Sequence, residues 1–409
     1  MTSRERVLAA LDHRQPDRVP IDLNGHRSSG IMIQAYRNLR QALGLPQRPI
    51  FVYDVIQQLA LVERDVLDAL DTDVTELACN YVNMPEYWRE WIMQDGETVY
   101  VPAFVNLTPD GEGGFWLCNG AGERIGRQKP GCLYFEQTLF PLLAETEMGD
   151  LAAAQDRVMW CAVGSPPAPL GLEGEDFARR RQEALAVRAQ SERAVYGAVG
   201  CNLLEMGEYC YRMDHFLELL AGEPEAAHRM LDKTLAQHME NLPKLLDTME
   251  GCVDVVGFGD DLGMQTGPII SPRMYREFIK PRQKVMWDYV KSRGFRVGLH
   301  SCGGIRPLIP DLIEAGLDCL NPVQITCAGM ELAGLKRDFG SELTFWGGGC
   351  DTRDVLPHGT PQQVRDHVRR NLDILFQGGG FVFQQVHNIM ADVPAENIIA
   401  MYRAVREYA

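Results

Sequence analysis

Short apolar runs recur through the second half of the chain at residues 195–199, 253–258, 295–299, 317–320, 343–346 and 380–383, and stretches with helical spacing separate most of them. Such runs read as strands buried on both faces, and strand followed by helix, repeated this often, predicts a parallel sheet. In the first half, Thr2 or Ser3 can cap a helix that runs through Leu11, and Pro16-Asp17-Arg18 ends that segment. Residues 19–23 then read as a first strand with the polar end Asn24-Gly25-His26-Arg27, and residues 31–43 and 54–70 carry the spacing of amphipathic helices. The pattern changes over residues 87–140, where strand-like pieces alternate with the turn signals Pro109-Asp110-Gly111 and Asn119-Gly120. Residues 164–173 read as a Pro- and Gly-rich loop leading into a charged helix over 176–193.

The whole predicts an α/β protein: a (β/α)8 TIM barrel over residues 1–409, with an N-terminal helical extension and residues 87–140 as an inserted antiparallel β excursion. A doubly wound open sheet is the alternative. It loses support because no Gly-x-Gly-x-x-Gly turn follows the first strand, no phosphate-binding Gly-x-x-x-x-Gly-Lys-Ser/Thr loop occurs, and Gly347-Gly348-Gly349 fits neither pattern.

Composition narrows the function classes. With 40 Lys and Arg against 56 Asp and Glu, the formal charge of −16 offers no basic face for nucleic acid or anionic lipid. No apolar run reaches membrane-spanning length, and the charged amphipathic start is unlike a signal peptide, so a cytoplasmic location is expected. Eleven scattered cysteines fit a reducing compartment rather than a disulfide framework.

The candidate chemistry sits where the predicted strands end. Side chains at i and i+2 of a strand share a face, so His300 and Cys302, just before Gly303-Gly304, can converge on one point. Imidazole nitrogen and thiolate sulfur both bind zinc, and a catalytic zinc site needs one more protein ligand and an open position. A strand-end histidine beside an inert buried cysteine is the competing structural reading. Reading the other strand ends in order adds Asn24 and His26, Asn202 and Glu205, Asp260 and Asp261, Asn321 and Gln324, Cys350 and Asp351, and His387 and Asn388. Of the Asp260-Asp261 pair, one carboxylate can cap a helical turn while the other faces the site as a general acid. Gln324 is an oxygen donor or a backbone hydrogen-bonder, Cys350 a second thiolate or core filling, and His387 a ligand, an acid or a structural donor. Trp346, Tyr209, Tyr211 and Phe258 are pocket walls or core.

Several motifs together resemble the uroporphyrinogen decarboxylase superfamily. They are Ser3-Arg4-Glu5-Arg6-Val7-Leu8-Ala9-Ala10-Leu11 with Pro16-Asp17-Arg18-Val19-Pro20, Asp260-Asp261-Leu262-Gly263 with Ile270-Ser271-Pro272, His300-Ser301-Cys302-Gly303, and Gly359-Thr360-Pro361 with Pro394-Ala395-Glu396-Asn397. The resemblance implies a (β/α)8 barrel and either of two chemistries, tetrapyrrole decarboxylation or zinc-dependent methyl exchange with a corrinoid protein. The decarboxylase branch carries Arg-Gln-Ala-Gly-Arg after its first strand, where this chain has Asn24-Gly25-His26-Arg27-Ser28-Ser29-Gly30. The methyltransferase branch carries a His-x-Cys pair and a distant third ligand. His300 and Cys302 match the pair, and His387, at the family position, is favoured over Cys350 as the third.

That branch implies one catalytic Zn2+, a methylcobamide or other corrinoid as co-substrate on a partner protein, and a small methyl donor or thiol acceptor. Asp261 and Gln265 would position substrate, with Gln324 beside them and His26 and Arg27 as anchors for an anionic group. The alternative is a metal-free carboxy-lyase that uses Asp260 or Asp261 and His387 as acid and base.

Overall fold

The computed structural model describes residues 1–77, 85–144, 151–160 and 172–408. Seven strands form one parallel sheet: β1 (Val74–Glu76), β2 (Ala194–Gly200), β3 (Val255–Gly259), β4 (Arg296–His300), β5 (Cys319–Asn321), β6 (Thr344–Trp346) and β7 (Phe381–Val382), each paired with its sequence neighbour. The two edges are joined by residues 20–22. Phe383 N–H donates to the Pro20 carbonyl and Asp22 N–H to the Phe383 carbonyl, both at 2.8 Å, while Asp73 N–H donates to the Ile21 carbonyl at 2.7 Å. An eighth, bridge-like segment therefore completes the ring, as the run at residues 19–23 predicts.

The helix Ser3–Leu11, capped by Thr2 through a reciprocal bond with Glu5, turns its apolar side toward the barrel interior. Val7, Ala10 and Leu11 pack with Val74, Tyr196, Val255, Cys319, Trp346 and Val382 in one buried cluster. Tyr196 fits inside because its neighbours are glycines: a Cβ on Gly257 would lie 2.2 Å from the Tyr196 ring.

Where residues 54–70 predict one helix, only Arg64–Ala69 is helical. Val52–Asp54 instead pairs antiparallel with Leu59–Ala60. The Asp54 carboxylate accepts the Gln57 N–H at 3.0 Å, a local bond that competes with helix, so the apolar spacing serves a hairpin. The charged helix spans Gly174–Gln190 rather than 176–193, and most of the expected loop at 164–173 lies outside the described residues.

The β-rich excursion consists of a hairpin (Trp88–Ile92 with Thr98–Pro102) and a four-stranded meander (Asn106–Pro109, Phe115–Cys118, Arg124–Gln128, Glu136–Gln137). It reaches the barrel mouth through Gln137, whose Nε2 donates to the Tyr209 carbonyl at 2.7 Å. Among the described residues no helix is long and apolar enough to cross a membrane.

Candidate metal centre and cavity

His300 closes β4 and Cys302 follows it by two residues, which brings Cys302 Sγ to 3.5 Å from His300 Nε2. His387, in the turn after β7, completes the group: one ligand atom from each of the three side chains lies within 4.8 Å of the others. The turn that carries Cys302 is held from both sides. Cys302 N–H donates to Asp261 Oδ1 at 2.7 Å, Gly304 N–H to the Met264 carbonyl at 2.8 Å, and Gly303 N–H to Gln324 Oε1. Gly303 has φ +91°, and a Cβ there would lie 2.2 Å from Gly263 backbone, so the turn closes only with glycine.

The orientation of His300 is set by Asn321, the last residue of β5. Asn321 Nδ2 donates to the Trp346 carbonyl (2.8 Å) and to Gln384 Oε1 (2.7 Å), which fixes the amide so that Oδ1 accepts. His300 Nδ1, 2.9 Å from that oxygen, must then carry its proton, leaving the Nε2 lone pair facing Cys302. Ser28 Oγ gives its hydrogen to the same oxygen at 2.7 Å and therefore accepts from His26 Nδ1 at 2.8 Å. One amide thus sets two imidazole tautomers. His387 makes no hydrogen bond to any described residue, and burial pushes its pKa down to about 4, so its imidazole is neutral and unengaged. The Cys302 thiol is pushed well up, first by burial and then by the Asp261 and Glu205 carboxylates.

These features fit zinc. Two imidazoles and a sulfur converge on one point, and one imidazole is anchored through its far nitrogen by a polar partner, as metal-bound histidines usually are. Sulfur paired with imidazole suits zinc better than calcium or magnesium, which take oxygen.

The other residues singled out from sequence divide. Asp261 lines the cavity at the mouth, with Oδ1 3.6 Å from His300 Nε2. Asp260 does not: it is buried and accepts the Leu204 and Glu205 N–H groups at 3.2 and 3.0 Å, capping the helix Leu204–Tyr211. Gln324 is spent on Gly303 N–H, and Gln265 Nε2 donates to the Thr326 carbonyl at 2.7 Å; both staple loops and neither lines the cavity. Cys350 is fully buried, with its thiol toward the Asp351 carbonyl, and stands outside the three-residue group. Trp346 belongs to the barrel core and Tyr211 to the main core, whereas Tyr209 and Phe258 line the cavity.

The cavity encloses about 360 Å3, the size of a small-molecule site. His26 and Arg27 line it, but Arg27 is paired with Asp54 at 3.1 Å, which compensates the charge expected to hold an anion. Sequence reasoning passed over Glu76, at the end of the short β1, and gave Glu205 no role. Glu205 accepts from Tyr209 Oη and Asn202 Nδ2, both at 2.5 Å, and burial together with Asp261 raises it to about 7. Burial raises Glu76 to about 8.

Seven parallel strands and one bridging segment thus form a barrel of the (β/α)8 kind, with a His2Cys group beside a small cavity at the carboxyl ends of the strands, the place where barrels of this kind carry small-molecule sites. The chain belongs to the uroporphyrinogen decarboxylase (URO-D) family, whose model matches residues 187–408. Among curated proteins it is similar to a methylated-thiol–coenzyme M methyltransferase of Methanosarcina mazei, 27% identical over 143 residues, which are 34% of either chain. It is also similar to a uroporphyrinogen decarboxylase of Pseudoalteromonas translucida, 26% identical over 192 residues, 46% of this chain and 50% of the relative. The chain thus spans from a third to a half of the length of these curated relatives. A solved methyltransferase from Methanosarcina mazei shares the fold, with a TM-score of 0.58 at 16% identity over 100% of this chain and 99% of that one.

Proposed function

We propose that the chain is a zinc-dependent methyltransferase that moves a methyl group between a small substrate and a corrinoid protein or a thiol. The observation that carries this reading is the convergence of His300, Cys302 and His387 at the barrel mouth. The likeness to the Methanosarcina mazei coenzyme M methyltransferase supports it.

Zinc held by these three side chains would supply Lewis acidity, lowering the pKa of a thiol or polarising the heteroatom of a methyl donor. Asn321, by holding the His300 Nδ1 hydrogen, keeps Nε2 free to serve as a ligand. Asp261, beside the group and lining the cavity, is placed to take the proton that an incoming thiol releases. Phe258, Tyr196 and Tyr209 wall the cavity and exclude water around the reacting atoms.

The competing carboxy-lyase reading has support in the decarboxylase relatives, but the cavity weighs against it. At about 360 Å3 it is small for a carboxylated tetrapyrrole, and Arg27, a guanidinium in its wall, is already compensated by Asp54.

The test is metal analysis of purified protein together with loss of the methylcobalamin absorption on adding a thiol. About one zinc per chain is expected, lost in His300→Ala, Cys302→Ala and His387→Ala and kept in Cys350→Ala. Unchanged zinc in the first three variants, or demethylation that persists in chelator, overturns the proposal.

A further inference from the structure

Glu76 ends β1 on the wall of the cavity, and its carboxylate makes no hydrogen bond or ion pair with any described residue. The charges near it are Arg27, already bound to Asp54 at 3.1 Å, and the carboxylates of Asp22 and Asp54 themselves. Arg180, the other guanidinium in the cavity wall, acts on Glu183 of its own helix. Glu76 is half-buried, and a carboxylate that faces a cavity with no counter-charge of its own offers a cation a favourable place. A second unfilled acceptor lines the same cavity. Asn202 is 7% exposed, its Nδ2 is committed to Glu205, and its Oδ1 has no partner among the described residues. Three aromatic side chains, Tyr53, Tyr196 and Trp160, line the same cavity. Carboxylate, carbonyl-type acceptor and aromatic faces together form the environment that holds organic ammonium groups.

We propose that the β1 side of the cavity binds the cationic head of a small organic ammonium compound, with Glu76 as its counter-ion and the aromatic rings packed around its alkyl groups. This rests on the metal reading in one respect, that the ammonium compound is the methyl donor: the thiolate expected beside His300, Cys302 and His387 would take the methyl, with the C–N bond breaking as the C–S bond forms and the neutral amine leaving. The raised pKa of Glu76 is the state expected of that carboxylate while its cation is absent. A bound ammonium reverses the effect, because an opposite charge at contact distance favours the ionised form.

The test uses calorimetric titration of the full chain with N,N-dimethylethanolamine, protonated at neutral pH, with its uncharged isostere 3-methylbutan-1-ol, and with 2-methoxyphenol as a flat neutral methyl ether. The ammonium compound is expected to bind at least tenfold more tightly than either neutral probe, to lose at least tenfold in affinity in Glu76→Gln, and to keep most of it in Glu76→Asp. The comparison of probes on the unmodified chain needs no variant to fold. Equal binding of a neutral probe, no binding of the ammonium compound, or unchanged affinity in a folded Glu76→Gln overturns the proposal. Zinc content is measured on the same samples. Absent zinc with intact ammonium selectivity removes the metal reading and leaves this one, and the reverse result removes this one alone.

Discussion

At the scale of single residues, the candidate centre depends on groups outside the three converging side chains. Asn321 uses both amide hydrogens and its oxygen, and only that arrangement forces the proton of His300 onto Nδ1. Asn321→Ala is expected to weaken zinc binding about 10- to 100-fold while leaving the three ligands in place; chelator competition measures it, with circular dichroism as the check on folding. Gly303→Ala is expected to cost more than about 2 kcal/mol, from the left-handed backbone and the contact with Gly263 together, and to displace Cys302. Urea denaturation and zinc content read the two effects. His300 and Cys302 were legible in the sequence because i and i+2 spacing at a strand end is a local property. That His387 rather than Cys350 joins them was not local. It depends on where two different turns leave the ring, and the preference for His387 came from the family position and from the affinity of imidazole for zinc. For Gln265 and Gln324 the sequence left the role open, because an amide in a loop looks the same whether it serves a ligand or the backbone of a neighbouring loop.

At the scale of elements, the parallel strands were readable because both of their faces are buried, which leaves an uninterrupted apolar run. β1 was not, since its three residues end in Thr75 and Glu76 and follow a polar stretch, and the cavity wall it carries was missed with it. The helix Leu204–Tyr211 shows the same point for chemistry. It carries Glu205 and Tyr209 into the cavity wall and buries Glu208 within the same element, a pattern that looks like an ordinary mixed helix in sequence. Glu208 is 7% exposed with Oε1 unpartnered, and burial, then Glu205, Asp260 and Asp261, raises it to about 9. With the folded value above the unfolded one, the native state holds the proton more tightly. Stability contributed by this group is therefore fully present below about pH 4.5 and is lost as pH rises toward 9. Glu208→Gln keeps the shape and removes the titration, so it is expected to stabilise the protein by about 3 kcal/mol at pH 7 and hardly at all at pH 4.5. Thermal melts of both proteins across that range check the slope; parallel curves would show that Glu208 does not titrate as described.

At the scale of the whole molecule, the ring is closed by a segment too irregular to count as a strand, and its closure is secured by charge as much as by backbone pairing. Asp73, fully buried, accepts the Ile21 N–H at 2.9 Å and binds Arg6 at 2.6 Å and Arg18 at 2.7 Å. It thereby ties the N-terminal helix, the closing segment and the approach to β1 to one carboxylate. Arg6 is itself nearly buried and also bonds to Asp17, so it cannot turn to water if Asp73 is lost. Asp73→Ala leaves the Ile21 N–H without its acceptor and the Arg6 guanidinium, which keeps Asp17, without its buried partner. A buried pair broken on one side typically costs about 3–5 kcal/mol. The loss is expected to act on the barrel as a unit, because the strand ends that carry His26, Glu76 and His387 adjoin the closure. Asp73→Ala is therefore expected to lower zinc affinity as well as the melting temperature, although the substitution lies at the opposite end of the barrel from the metal group. Melting with and without added zinc separates the two contributions. A variant that loses stability yet binds zinc with unchanged affinity would show that the mouth holds its shape independently of how the ring is closed below it.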